Sequence, residues 1–242
     1  ILRTAMEDAE MHAMAKNSLT FYQNPPLGFS ETSLYHANGL ILAADATADV
    51  AFQTWVNHPA TSVGGKPILP QEVQKIVPPL TDGMTSAYIF PEEGTLDVSA
   101  IHQAFLMGAQ KSGAEIHYET ALTGILSSDG ALRGAQTSHG FFSAKHLVVA
   151  AGGWAGTLLE SEGYGLPLLA KRRHLLVTEA SSQVDCQWPV VWISGEECYF
   201  RPESGGLLIS ACDEAEVTPD QGSTVDSAVL ELLAQKVQRW IP

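Results

Sequence analysis

Basic residues are scarce in this 242-residue chain. Thirteen Lys and Arg stand against 27 Asp and Glu, a net charge of −14. A surface of that sign repels phosphate backbones, so nucleic acid is excluded as an expected partner. Cysteine is scarce too: Cys186, Cys198 and Cys212 are odd in number and 12 and 14 residues apart. That spacing fits neither a disulfide framework nor a C-x-x-C metal site, so reduced thiols, no metal and a cytoplasmic setting are expected. Long apolar runs are missing. The longest, Leu147 to Ala151, is strand-sized, whereas a membrane span needs about 20 residues. No secretory leader is expected, and the sequence shows no internal repeat or low-complexity tract. The chain opens at Ile1 and stops at Pro242, which leads us to expect an internal segment of a longer protein.

Apolar residues are plentiful, at 45% of the chain. A chain of this length makes one large or two small domains and buries roughly 70% of its unfolded surface without covalent staples. Thr4 and Glu7 have the spacing of a capping box, which predicts a helix over 4–22 ended by Pro25-Pro26. Asn38-Gly39 forms a turn between two β-like runs. Short helices are predicted over 48–56 and 70–77, the second with Pro70 at its first position. A strand is predicted over 85–90. Asp97 then caps a helix whose Ile101, Phe105 and Ala109 fall at helical spacing and whose end is marked by Gly113. Residues 115–119 alternate as a strand. Two strands around Asp129-Gly130 read as a hairpin, and 145–151 as a strand buried on both faces. The remaining third reads as strands over 169–178, 190–194, 197–201 and 207–211, followed by an amphipathic helix over 225–240. The class is mixed α/β, or α+β.

The strongest signal runs from Gly94 to Trp154. Gly94-Thr-Leu-Asp97 precedes a helix; a strand and a hairpin follow; Leu147 to Ala151 then ends at Gly152-Gly153-Trp154. A buried strand that exits through such small residues lets a dinucleotide pack directly against backbone. This order resembles the D-amino-acid-oxidase-like family of FAD-dependent oxidoreductases. The stretches Phe21 to Pro26, Lys171 to Arg173, Gln187 to Pro189 and Cys198 to Gly206 are similar to D-arginine-dehydrogenase-type and glycine-oxidase-type members.

The resemblance implies a substrate domain with a mixed or antiparallel sheet and flanking helices over 1–95 and 159–242. Between them, 96–158 would be part of a Rossmann-like FAD domain. It implies FAD as cofactor, with Ala121 and Leu122 near its adenine end and Ala151, Gly152, Gly153 and Trp154 against the dinucleotide. It also implies that Arg173 and Tyr199 hold a substrate carboxylate, a planar guanidinium gripping two oxygens and a phenol adding a donor. The activity implied is oxidation of a D-amino acid or related amine to the imine by hydride transfer to the flavin, so no side chain is assigned as catalytic. The partners left open are a small amino-acid substrate, an electron acceptor or peripheral membrane contact, and homo- or hetero-oligomeric association. Two features depart from the family. G-x-G-x-x-G, which binds the FAD pyrophosphate at a helix terminus, is absent from the sequence. The acid that arginine-selective members turn toward the substrate guanidinium is replaced by Gly39-Leu40. The other class of function left standing is a non-catalytic binding module, or one subunit of a hetero-oligomeric flavoenzyme.

Overall fold

Asp8, not Thr4, caps the first helix. In the computed structural model, which describes residues 1–59, 61–221 and 224–242, α1 spans Ala9–Gln23 and the Asp8 carboxylate accepts the Met11 N–H at 2.8 Å. Thr4 is unavailable because its N–H and hydroxyl both donate to Glu93 Oε1, each at 2.7 Å. The helix therefore starts five residues later than the capping-box spacing suggests.

By contact density the chain divides into two units, one of residues 1–108, 173–213 and 225–242, the other of 109–172 and 214–224. The first is built on a seven-stranded sheet. Its strands are β2 (Leu40–Ala44), β3 (Lys66–Ile68), β4 (Ser86–Phe90), β10 (Leu175–Val177), β11 (Val190–Ser194), β12 (Cys198–Glu203) and β13 (Gly206–Ser210), in the order β10-β13-β12-β11-β2-β4-β3. Only β11 and β2 run parallel; every other pair is antiparallel. Alternation of side chains divides the strands between two faces. Ile41, Val191, Ile193, Phe200 and Ile209 pack with Val73 of α3 (Pro70–Ile76) and with Leu233 and Trp240 of α6 (Ser227–Trp240). Leu40, Leu42, Ala44 and Val190 pack with Ala5 and with Phe52 and Val56 of α2 (Asp49–Val56). Covered on both sides, β2 reads Leu-Ile-Leu-Ala-Ala and every residue of it is buried. Asn38-Gly39 turns the chain, with Gly39 at φ +87°, but closes no hairpin. The preceding strand β1 (Tyr35–His36) pairs with β5 (Thr95–Leu96), while β2 joins the large sheet.

The second unit centres on a meander of β6 (Leu122–Ser128), β7 (Ala131–Thr137) and β8 (Gly140–Ser143). Asp129 and Gly130, at φ +55° and +74°, make the turn that the Asp-Gly pair encodes. Helix α4 (Val98–Lys111) begins at Asp97, whose carboxylate accepts the Ala100 N–H at 2.8 Å.

Three predicted strands differ in the structure. Residues 115–119 form no strand; the segment turns at Tyr118-Glu119, with Glu119 at φ +54°. Residues 145–151 also form none, and Val148 is 85% exposed. An apolar run becomes a strand only when neighbours take up its N–H and C=O groups, and among the described residues no strand pairs with it. The run over 169–178 divides into β9 (Lys171–Arg172), paired with β14 (Ala215–Glu216), and β10 in the large sheet. The break falls at His174, whose N–H donates to the Asp213 carboxylate at 2.8 Å instead of to a ladder. Among the described residues, no helix is long and apolar enough to cross a membrane.

Candidate functional site

One row of paired residues crosses the large sheet: Leu175, Ser210, Tyr199, Trp192, Leu42 and Tyr88. Residues directly opposite across strands share a face, so this row gathers polar and aromatic groups on the side away from α3 and α6. Trp192 and Tyr199 stack, with ring centroids 5.0 Å apart and planes 22° apart. Burial raises the Tyr199 phenol above its ordinary value; a hydrogen bond with Ser210 and the charges of Arg201 and Arg173 act the other way. The phenol is thus kept protonated, as a donor. Arg173 itself is exposed, just before β10, and its charge reaches both Tyr199 and Cys212. The two residues predicted to hold a carboxylate lie in the same unit within electrostatic reach of each other.

The same face carries a feature that sequence reasoning missed. The Arg3 guanidinium lies 5.1 Å from the ring centroid of Trp55 and 5.3 Å from that of Trp192. Its Nε donates to the Ala5 carbonyl at 3.1 Å. Together with Phe52, Glu7 and Glu197 these residues line a cavity of about 670 Å³. Trp192 thus meets both the Tyr199 ring and the Arg3 cation, which also lies over Trp55. Burial lowers the Arg3 pKa, and the charges of Glu93 and Glu197 oppose that. No local pattern could have signalled this cluster, because Arg3, Trp55 and Trp192 are distant in sequence and meet only through the fold.

Glu93 holds the segment that carries Arg3. Its Oε1 accepts the Thr4 N–H, the Thr4 hydroxyl and the Ala5 N–H, while Leu2 bridges to Gly94. Its Oε2 is buried with no hydrogen-bond partner among the described residues. Burial raises the Glu93 pKa above its ordinary 4.5, against the three hydrogen bonds and Arg3. A carboxyl with a raised pKa binds its proton more tightly folded than unfolded, so its contribution to stability falls as pH rises from 4.5 through the folded value. Glu93→Gln, which retains an acceptor oxygen, is expected to remove that slope. Denaturant unfolding at a series of pH values should show the wild type losing stability relative to E93Q as pH rises, and parallel profiles would contradict it.

The second unit holds the residues predicted to meet the cofactor. A 3-10 turn, Gly152–Trp154, leads from Ala151 into α5 (Ala155–Ser161). Gly152 has φ +53° and open space where a Cβ would point, whereas a Cβ on Gly153 would touch Ala170 and Pro219 at 3.6 and 3.8 Å. The Trp154 indole N–H donates to Asp220 at 3.0 Å. A groove of about 450 Å³ runs past Gly153, Thr157, Ala170, Thr218 and Pro219. The small-residue turn thus leaves open space at Gly152, while the side chains of Ala170 and Pro219 lie against Gly153. Ala121 is exposed, but its N–H and C=O are both engaged by Ser138, at 3.1 and 2.8 Å, and Leu122 pairs with Thr137. Any contact made there is therefore one of packing, not of backbone hydrogen bonding.

The comparisons with known proteins concern the family and the fold. The chain is 28% identical over 166 residues to human mitochondrial dimethylglycine dehydrogenase, covering 67% of this chain and 19% of that protein. It is 28% identical over 181 residues to glycine oxidase of Bacillus licheniformis, covering 71% of this chain and 44% of the relative. The chain therefore spans less than half the length of either. Its fold is like that of L-proline dehydrogenase from P. horikoshii, with a TM-score of 0.85 at 20% identity over 100% of this chain and 65% of the other. The family model for FAD dependent oxidoreductases (DAO) matches residues 2–242. From the pinned segment at Leu2 to the end of α6, the chain belongs to the DAO family of FAD-dependent oxidoreductases, whose cofactor is FAD.

Proposed function

We propose that this chain supplies the substrate-gripping face, and part of the flavin-holding surface, of an enzyme that oxidises a small amino acid or N-alkylated glycine at its Cα–N bond. The observation that supports the reading is that Tyr199 and Ser210 lie directly opposite each other across β12 and β13, with the charge of Arg173 reaching the Tyr199 phenol. Bound FAD supplies a two-electron acceptor, and the rest of the work is orientation. Arg173 takes two oxygens of the substrate carboxylate. Tyr199, protonated through burial, donates a third hydrogen bond. The Trp192–Tyr199 stack makes an apolar floor that keeps water from the reacting carbon, and the cavity beside Arg3 receives the remaining substituent. The relatives named for dimethylglycine and glycine support a small substrate. Selectivity for D-arginine is not part of the proposal: Leu40 is fully buried, so the Gly39-Leu40 corner offers no acid to a guanidinium.

The test is anaerobic mixing of the FAD-loaded holoenzyme with glycine, sarcosine, dimethylglycine, D-alanine, D-proline and L-proline, each beside its carboxamide. At least one free acid should bleach the flavin absorbance far faster than its amide. Equal rates for acid and amide, or bleaching by none, would overturn the reading. Tyr199→Phe keeps the stack and removes only the donor, so KM for the best acid should rise about fivefold to tenfold with kcat little changed. An unchanged KM takes Tyr199 out of the site.

A further inference from the structure

His174 departs from the strand pattern around it. It is 7% exposed between the exposed Arg173 and the exposed Leu175. Its backbone N–H donates to Asp213 Oδ1 at 2.8 Å, and its Nδ1 lies 2.7 Å from Asp213 Oδ2. On the other side of the ring, Nε2 meets the backbone N–H of Asp226 at 3.1 Å. A carboxylate only accepts and a backbone N–H only donates, so the two contacts fix one form of the ring, with a proton on Nδ1 and none on Nε2. The Asp226 carboxylate is occupied elsewhere, capping α6 through the Ala228 N–H at 3.0 Å. The imidazole therefore ties the segment before β10 to the end of β13 and to the start of α6. Arg173, the residue before His174, lies in the gap between β9 and β10. Asp213 sits one residue after Cys212, at φ +51° in the left-handed region, and that turn brings its carboxylate back to the His174 backbone.

We propose that His174 and Asp213 form a clamp that positions Arg173 for carboxylate binding, His174 being a positioning residue that touches no substrate. The inference rests on the reading of Arg173 as the carboxylate anchor and adds what holds that anchor in place. The clamp acts by restricting the backbone on which the guanidinium is carried. Its loss removes that restriction and weakens the two-pronged grip, while the charge stays near the site.

The test is a double-mutant cycle read by binding, with propionate as the probe and Trp and Tyr fluorescence of the holoenzyme as the signal. Arg173→Ala is expected to weaken propionate at least tenfold. His174→Ala and Asp213→Asn are each expected to weaken it about fivefold to tenfold, and to weaken propionamide not at all. In the Arg173→Ala background the same two substitutions should cost nothing further, because the residue they position is gone. Losses of equal size in both backgrounds would overturn the clamp while leaving the anchor standing. A full-strength Arg173→Ala variant would overturn the anchor, and the clamp with it. Asp213→Asn, which preserves shape, covers the case in which His174→Ala does not fold. Nitrogen-15 spectra of the histidine rings give a readout independent of ligand: His174 should carry its proton on Nδ1 in the wild type. A proton on Nε2 would overturn the arrangement.

Discussion

Arg173→Ala is expected to lower kcat/KM for the carboxylate substrate by thirtyfold to a hundredfold, about 2 to 3 kcal/mol, with most of the loss in KM. The magnitude follows from removing a charge-assisted, two-pronged grip, since each hydrogen bond to a charged group contributes about 1.5 to 3 kcal/mol. The split between KM and kcat follows from where the residue acts. A carboxylate anchor binds ground state and transition state alike, so its loss raises KM more than it lowers kcat. Arg173→Lys separates charge from shape. An ammonium keeps the attraction but presents no planar fork, so it should fall between wild type and alanine. Carboxamide substrates, already lacking the charge, should be slowed little by either change. Steady-state kinetics on one acid and its amide check all of this, and equal losses for both would remove Arg173 from carboxylate recognition. Arg3 supplies the internal comparison, because its guanidinium is held between Trp55 and Trp192 on the same unit.

How much of this site was legible depends on how local each signal is. Turn chemistry at Asp129-Gly130, the cap at Asp97 and the strand predicted over 197–201 are encoded within a few residues; the structure follows the first two and sets the strand at 198–203. Arg173 and Tyr199 were proposed from family likeness, because the motifs around them are themselves local strings. Patterns failed where a residue's partner is remote in sequence. Thr4 has capping-box spacing with Glu7, but Glu93 offers one buried oxygen to two backbone N–H groups and a hydroxyl, and takes it instead. His174 looked like one residue of a continuous strand, yet Asp213 withdraws its N–H from the ladder. The run over 145–151 has strand composition, but composition cannot supply the neighbours that a strand needs. The Arg3 cluster is the extreme case, three residues whose proximity is a product of the finished fold.

Gly94→Ala is expected to destabilise the protein by about 3 kcal/mol or more. A Cβ at this position would lie 2.0 Å from the His36 carbonyl oxygen, with Asn38 Oδ1 at 2.8 Å and the Asn38 backbone nitrogen at 3.0 Å. The nearest obstacle is backbone, so no rotamer change relieves the clash and the two chain segments must separate. Separation is costly because Gly94 is joined on both sides. Its neighbour Thr95 pairs with His36 across β1 and β5, and its own carbonyl accepts the Leu2 N–H at 2.8 Å. Glu93, one residue earlier, pins Thr4 and Ala5. A shift at Gly94 therefore carries the Leu2 to Ala5 segment with it and withdraws Arg3 from between Trp55 and Trp192. Gly108→Ala is the matched control: a Cβ there meets nothing within 4 Å in the interior of α4, where alanine is favoured over glycine by about 0.5 to 1 kcal/mol. Thermal and denaturant unfolding should move in opposite directions for the two variants, with the Trp fluorescence maximum displaced only in G94A. If G94A unfolds at the wild-type midpoint, the close passage of Gly94 against His36 and Asn38 is wrong.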